Sequence, residues 1–279
     1  MRWGTWGAKF STQEYSTLIQ QCIEHGITTF DHADIYGHYT TEAEFGKALT
    51  LNPDIRKKIQ LITKCGINLI TENRPQYNIK SYNTSAKHIV SSVEQSLKNF
   101  NTDYIDCLLI HRPDPLLNAE EVTSTIEALI QSGKVLEFGV SNFLPHQSAS
   151  LQQYIKLTYN QIELSLTHTA PLTDGSLEFA MQHGTDIMIW SPLGQGIFAG
   201  DHPKKEALLN TFNLLAQKYN CQPSQVPIAW LNQLPCKPTP IIGSTQIHRI
   251  VQAKEAMNIN IEREDWYLLL EKATGKEVA

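Results

Sequence analysis

The run YIDCLLIHRPDPLLNAEEVTSTIEALIQSGKVLEFGVS, residues 104–141, decides the fold. Its opening, residues 104–111 (YIDCLLIH), is apolar without alternation and of strand length, as in a strand covered on both faces. Asn118 then stands as a helix cap with Glu121 three residues on, and residues 123–131 continue at helical spacing. Gly133 lies just past the helix end, where a left-handed cap favours glycine. Residues 135–141 (VLEFGVS) are the next strand. Strand, helix and strand in so short a span form a βαβ unit with parallel strands.

The same rhythm extends both ways. Residues 27–31 (ITTFD), 60–64 (QLITK), 157–161 (LTYNQ), 186–191 (DIMIWS) and 240–244 (PIIGS) read as further strands. Ser11-Thr-Gln-Glu14 is a capping box opening one intervening helix, and Ser224 opens another with Val226, Trp230 and Leu234 at helical spacing. No Pro/Gly/Ser-rich linker or composition shift interrupts the alternation. The expectation is therefore α/β: one (β/α)8 TIM barrel over residues 1–279, with a doubly wound open sheet as the structural alternative. Met1–Trp6 is all the chain offers for a first strand, so that strand is expected to be truncated.

Composition narrows the function. The chain has 279 residues, 41% of them hydrophobic, and a net charge of −5 from 23 Lys+Arg against 28 Asp+Glu. No global basic field draws it to nucleic acid or an anionic membrane, so an anionic ligand needs a local basic cluster. No apolar run reaches the ~18 residues of a membrane helix. Five cysteines, widely spaced and without a C-x-x-C pair, suit a reducing cytoplasm better than a disulfide framework or zinc site. The opening residues carry no apolar secretion signal, which fits the same expectation.

Chemistry in a βα barrel gathers at the C-terminal ends of the strands. Those positions hold Asp31, Lys64, His111, Ser141-Asn142, Gln161, Trp190-Ser191 and Gly243-Ser244, with Tyr36 in the loop after Asp31. Singly, Asp31 could cap a helix, Lys64 could be a solvated strand end, and His111 could bond a carbonyl. Together they make a constellation, because a buried Lys or Asp needs a partner and Lys64 and Asp31 can pair. An ammonium beside Tyr36 stabilises the phenolate and lowers the phenol pKa, making proton donation to a developing alkoxide feasible. His111 could orient a carbonyl. The set suits carbonyl reduction.

At these residues the chain resembles the aldo-keto reductase family, and within it the bacterial YdhF-like oxidoreductase branch. The family's second-strand signature stands as Asp31-His-Ala-Asp-Ile-Tyr36-Gly37; its lysine is Lys64 and its histidine His111. The resemblance implies Tyr36 as proton donor, Asp31 and Lys64 as the residues tuning it, and His111 as the carbonyl-orienting group. It further implies a nicotinamide cofactor: NADPH, with NADH admissible because Gly243 stands where the family often has lysine. Ser141, Asn142 and Gln161 match the carboxamide-binding positions. Trp190 matches the stacking aromatic, and Ser191, Leu193, Gly194 and Gly196 the start of the pyrophosphate loop. Gly243, Ser244, Thr245 and Arg249 match the 2′-phosphate segment, where Lys237, His248, Arg249 and Lys254 form a basic cluster. Trp3, by its distance from Asp31, matches the substrate-pocket tryptophan best, with Trp6 the other candidate. No counterpart of the family's hairpin below the barrel is expected.

Other readings stay open on the residues alone. A cofactor-binding regulatory protein of the same fold would keep these positions with little turnover. Lys64 could serve a Schiff-base aldolase, although the Arg249 segment would then lack a purpose. His32-Ala-Asp34 resembles half a metal site. Residues 194–199 (GQGIFA) fit G-x-G-x-x-A but follow the wrong strand for a dinucleotide fingerprint. The expected partner is a small carbonyl compound; its identity and the oligomeric state are not written in these motifs. Residues 65–83, 113–117 and 164–174 are the candidate substrate loops.

Overall fold

Parallel strands alternating with helices are what the computed structural model contains, and it describes residues 3–195, 197, 198 and 200–278. Gly196 and Ala199 of the expected phosphate loop, with Met1 and Arg2 of the expected first strand, lie outside the described residues. The chain divides into two compact units, Met1–Asn160 and Gln161–Ala279.

The first unit carries α1 (Thr12–Glu24), β1 (Thr29–Asp31), the single turn α2 (Tyr36–Tyr39), α3 (Thr41–Thr50), β2 (Gln60–Cys65), the short ribbon β3 (Ile67–Asn68) and β4 (Ser81–Tyr82), and α4 (Ala86–Phe100). It continues through β5 (Ile105–Ile110), α5 (Ala119–Gln131), β6 (Val135–Ser141), α6 (Pro145–Gln152) and the start of β7 (Tyr159–Glu163). Within it the sheet order is β1-β2-β5-β6-β7. The pairing is parallel, with Asp31 opposite Ile62, Lys64 opposite Leu109 and Leu109 opposite Gly139. Gly139 is dictated by that packing: a Cβ there would meet the Tyr159 carbonyl at 2.4 Å. The expected caps are in place. Ser11 and Glu14 close a full capping box, Asn118 accepts the Glu121 N–H, and Gly133 has φ 71°.

Helices α3 and α4 approach backbone to backbone at Gly46, where a Cβ would lie 2.0 Å from the Asn99 carbonyl. Beside this contact Glu42 is buried and accepts from Thr63 Oγ1 at 2.6 Å, Ser96 Oγ at 2.9 Å and Asn99 Nδ2 at 3.0 Å. One carboxylate thus ties α3 to β2 and α4.

The described start differs from a strand. Residues 3–8 are turn and bend, because the Gly4 carbonyl accepts the N–H groups of Gly7 at 2.8 Å and Lys9 at 3.2 Å. Those local bonds replace a ladder, and seven strands make the parallel sheet.

The second unit holds the rest of β7, then α7 (Ser176–His183), β8 (Asp186–Trp190), α8 (Lys205–Lys218), α9 (Val226–Asn232), β9 (Thr239–Pro240), α10 (Ile247–Ala256) and α11 (Arg263–Thr274). Its sheet order is β7-β8-β9. Strand β9 is shorter than the expected residues 240–244, β7 begins two residues later, and α9 begins at Val226 rather than Ser224. The core centres on Trp230, stacked on Trp266 at 5.1 Å. Each indole N–H bonds the other residue's carbonyl. All five cysteines are unpaired; Cys22, Cys65 and Cys107 are buried. No described helix is long and apolar enough to cross a membrane.

Gly46→Ala has no room on the α4 side and is expected to lower the unfolding free energy by about 1–3 kcal/mol, measured as a urea-midpoint shift.

Candidate active site

The first unit gathers the four candidate catalytic residues. Asp31 ends β1, Lys64 stands near the end of β2, His111 follows β5, and Tyr36 opens the turn after β1. Parallel register sets their level, and the His111 N–H continues the ladder to the Cys65 carbonyl at 2.9 Å. Lys64 is fully buried, so it is not a solvated strand end. Its ammonium reaches both Asp31 carboxylate oxygens at 2.8 Å, the His32 carbonyl at 2.7 Å and the Tyr36 hydroxyl at 3.3 Å.

Charge follows from those partners. Burial opposes the Lys64 cation, but the Asp31 carboxylate and Tyr36 outweigh it and hold its pKa above the ordinary lysine value. For Tyr36 the expected net sign is corrected. Burial raises the phenol pKa more than Lys64 lowers it, so the hydroxyl is held in its protonated form. Lys64 still opposes that rise, favouring the phenolate over what burial alone would allow. His111 is driven well below the ordinary 6.5, first by burial, then by Lys64 and Arg112, and is a neutral imidazole. Its Nδ1 is buried without a partner, so no carbonyl holds that nitrogen. The His111 and Tyr36 rings stand edge to face at 6.0 Å. Asn142, in the left-handed region at φ 63°, donates to Ser141 Oγ at 2.8 Å and to the His111 carbonyl at 3.4 Å.

Of the two candidate pocket tryptophans, the better match by spacing is the buried one. Trp3 is core, 4% exposed, packed on Phe10, Tyr15 and Phe30. Trp6 is 43% exposed, 6.1 Å from the Tyr36 ring and 5.2 Å from His38. The turn at Gly4–Gly7 separates the two, with the earlier indole inward. The His32 ring is buried against Phe45 and Phe100, with centroids at 4.5 and 5.0 Å.

Sequence reasoning missed the run behind Tyr36. Gly37, His38 and Tyr39 all have positive φ, at 60°, 57° and 69°. Outside glycine such a conformation costs about 1–3 kcal/mol per residue and persists only where its surroundings enforce it. The pairing of glycine with two bulky residues gave no composition signal beyond Gly37 itself.

In the second unit Gln161 is buried, and Trp190, Ser191, Leu193 and Gly194 follow one another from the end of β8. Ser191 and Gly194 have φ of 55° and 71°. Ser244 Oγ accepts the Gln246 N–H at 3.1 Å in the turn before α10, with Gly243 and Thr245 on either side. Around Gly243 a Cβ would meet nothing within 4 Å. Arg249 is exposed on the first turn of α10, and its guanidinium makes no hydrogen bond or ion pair with the described residues. Lys237 is engaged elsewhere, donating to the Asn232 carbonyl at 2.7 Å. A free guanidinium at a helix N-terminus is suited to a phosphate.

The chain is similar to known proteins over nearly its whole length. The family model described as "Aldo/keto reductase family" matches residues 1–273. The 6-dehydroglucose reductase of Agrobacterium fabrum is 41% identical over 98% of this chain and 92% of its own length. Oxidoreductase YdhF of Escherichia coli is 41% identical over 99% and 93%. Among solved structures, the thermostable aldo-keto reductase Tm1743 with the inhibitor epalrestat superposes with TM-score 0.76 at 25% identity, covering 94% of this chain and 88% of that one.

Two stability measurements check the electrostatics. Lys64→Met strands the Asp31 carboxylate in a buried site and is expected to destabilise the chain by about 3–5 kcal/mol in urea. The depressed His111 pKa makes its contribution complete above 6.5 and lost as pH falls, because only the unfolded state then binds the proton. His111→Gln therefore flattens the stability curve below that pH, by at most about 1.4 kcal/mol per pH unit. His32 and His88, depressed in the same direction, retain the remaining slope.

Proposed function

Because the chain belongs to the aldo/keto reductase family, we propose that it reduces an aldehyde or ketone to the alcohol, using NADPH and a proton from Tyr36. The observation that carries this reading is one buried ammonium bonded at once to Asp31 and Tyr36. When bound, the nicotinamide supplies the hydride to the carbonyl carbon. The chain's own groups do the rest. The protonated Tyr36 hydroxyl donates to the developing alkoxide, and the Lys64 N–H stabilises the phenolate left behind. Asp31 keeps Lys64 charged. Neutral His111 donates a hydrogen bond that orients the carbonyl oxygen. Trp6, beside the Tyr36 ring, is the aromatic wall for the substrate.

Ser141 and Asn142 in the first unit are assigned to the nicotinamide carboxamide by resemblance. In the second unit Gln161 and Trp190 are assigned to the nicotinamide, Ser191, Leu193, Gly194 and Gly196 to the pyrophosphate, and Gly243, Ser244, Thr245 and Arg249 to the adenosine 2′-phosphate. The unpaired Arg249 guanidinium supports NADPH; the open space at Gly243 in place of a lysine keeps NADH admissible. The family match across residues 1–273 supports reading 1–279 as one barrel domain. Unpaired cysteines support a reducing, cytoplasmic setting.

The aldolase reading is disfavoured by Lys64 itself. A Schiff base needs a neutral amine with a free lone pair, whereas this one is a buried cation bonded to three residues. The complete tetrad favours turnover over a purely regulatory role.

NADPH oxidation is to be followed with aromatic aldehydes, quinones and an oxidised hexose, the last because one relative is a 6-dehydroglucose reductase. Tyr36→Phe is expected to lower kcat by about 10²–10⁴-fold with nucleotide binding retained. Arg249→Ala is expected to raise KM for NADPH roughly tenfold or more and to leave KM for NADH unchanged. Trapping of a lysine adduct by borohydride would favour the aldolase instead.

A further inference from the structure

We infer that Tyr39 is a positioning residue for the proton donor: its hydroxyl clasps the backbone of residues 67–69 and so holds the left-handed turn that aims Tyr36. This rests on the reading of Tyr36 given above, and goes beyond it by placing a determinant of catalysis outside the tetrad.

Four observations carry it. First, the turn is improbable by itself, because three residues in succession, two of them bulky, take positive φ directly after Tyr36. Second, beside the local bond from Thr40 Oγ1 to the Gly37 carbonyl at 2.8 Å and the Trp6 ring against His38, one nearby stretch of chain holds the far end of the turn. Tyr39 Oη accepts the Leu69 N–H at 2.9 Å and donates to the Ile67 carbonyl at 3.3 Å. Asn73 Nδ2 donates to the His38 carbonyl at 2.7 Å, and the Arg74 guanidinium lies 4.4 Å from the Tyr39 ring centroid.

Third, that stretch runs on from β2, the strand that bears Lys64. One continuous stretch, from Lys64 to Leu69, therefore grips both ends of the turn: Lys64 Nζ at the Tyr36 hydroxyl, and the backbone of Ile67 and Leu69 at the Tyr39 hydroxyl. Gly66, at φ 107°, makes the bend between the two grips. Fourth, packing does not substitute for these bonds. A cavity of about 360 Å³ lies beside Tyr39, Asn73, Arg74 and Tyr77, and reaches Asp34 and Glu42. The apolar cluster that backs Tyr36, Tyr39 and Leu69 is small, with Ala33, Ile35 and Ile67 as its buried members. The Tyr39 hydroxyl is what fixes the distance between turn and strand. A donor displaced by a fraction of an ångström transfers its proton more slowly without altering how substrate binds.

Tyr39→Phe removes the clasp and keeps the ring. Expected are a kcat lower by roughly tenfold or more, KM and nucleotide affinity within about twofold, and a larger solvent deuterium isotope effect on kcat. In the chain without ligands, amide exchange at residues 37–40 is expected to quicken while the remainder keeps its protection. Asn73→Ala, at an exposed site on the same clamp, gives the same pattern in smaller measure and serves if Tyr39→Phe does not fold. Wild-type kcat and isotope effect in Tyr39→Phe, beside an inactive Tyr36→Phe, overturn the inference and leave the reductase reading standing. A Tyr36→Phe enzyme as active as the wild type removes the reductase reading and the inference with it. A fall in kcat matched by a rise in KM and loss of protection throughout the chain means general damage and also overturns the inference.

Discussion

A single buried ammonium organises the candidate site of this chain. Lys64 has no access to water, so its charge depends on the Asp31 carboxylate, the His32 carbonyl and the Tyr36 hydroxyl around it. Removing water strengthens each of these interactions and makes each harder to do without. The parallel register sets Asp31 opposite Ile62, two residues before Lys64, within reach of the lysine side chain. The turn after β1 then has little choice in where it delivers the phenol.

Support for that arrangement spreads outward through polar side chains placed where apolar ones would be simpler. Glu42 ties the helix after the turn to β2 and α4, bonding Thr63, the neighbour of Lys64. Asn142 links the end of β6 to the carbonyl of His111. Buried polar networks of this kind specify one arrangement, because a partly satisfied network is worse than none. The same logic covers the run at Gly37–Tyr39, where strain is tolerated because surrounding bonds over-determine the geometry.

Much of this was legible in the sequence, for identifiable reasons. The strands showed as apolar runs, and the candidate tetrad showed because Asp31, Lys64 and His111 are ionisable groups at the ends of such runs, with Tyr36 in the loop after the first. Caps at Ser11, Asn118 and Gly133 showed because their chemistry is local. What escaped depends on burial or on backbone sign. Tyr36 sits beside a cation, which sequence can suggest, but burial decides the net direction of its pKa and has no one-letter signature. Trp3 and Trp6 are separated by three positions, and only the hydrogen-bonded turn at Gly4 reveals which faces inward. Strand β9 falls short of its apolar run because Ile241 donates to Ile189 and the chain then turns away into the loop at Gly243.

The unpaired cysteines have a consequence for a chain proposed to handle aldehydes and quinones. Such compounds are electrophiles that alkylate thiolates, and a thiol is attacked in proportion to the fraction ionised and exposed. Burial raises every one of the five: Cys22 to about 11, Cys65 and Cys107 well above the ordinary value, Cys221 and Cys236 in the same direction. Cys65 directly follows Lys64, the centre of the candidate site, yet it is buried and held as the neutral thiol. The fold thereby keeps its own nucleophiles in the form that its proposed substrates attack least.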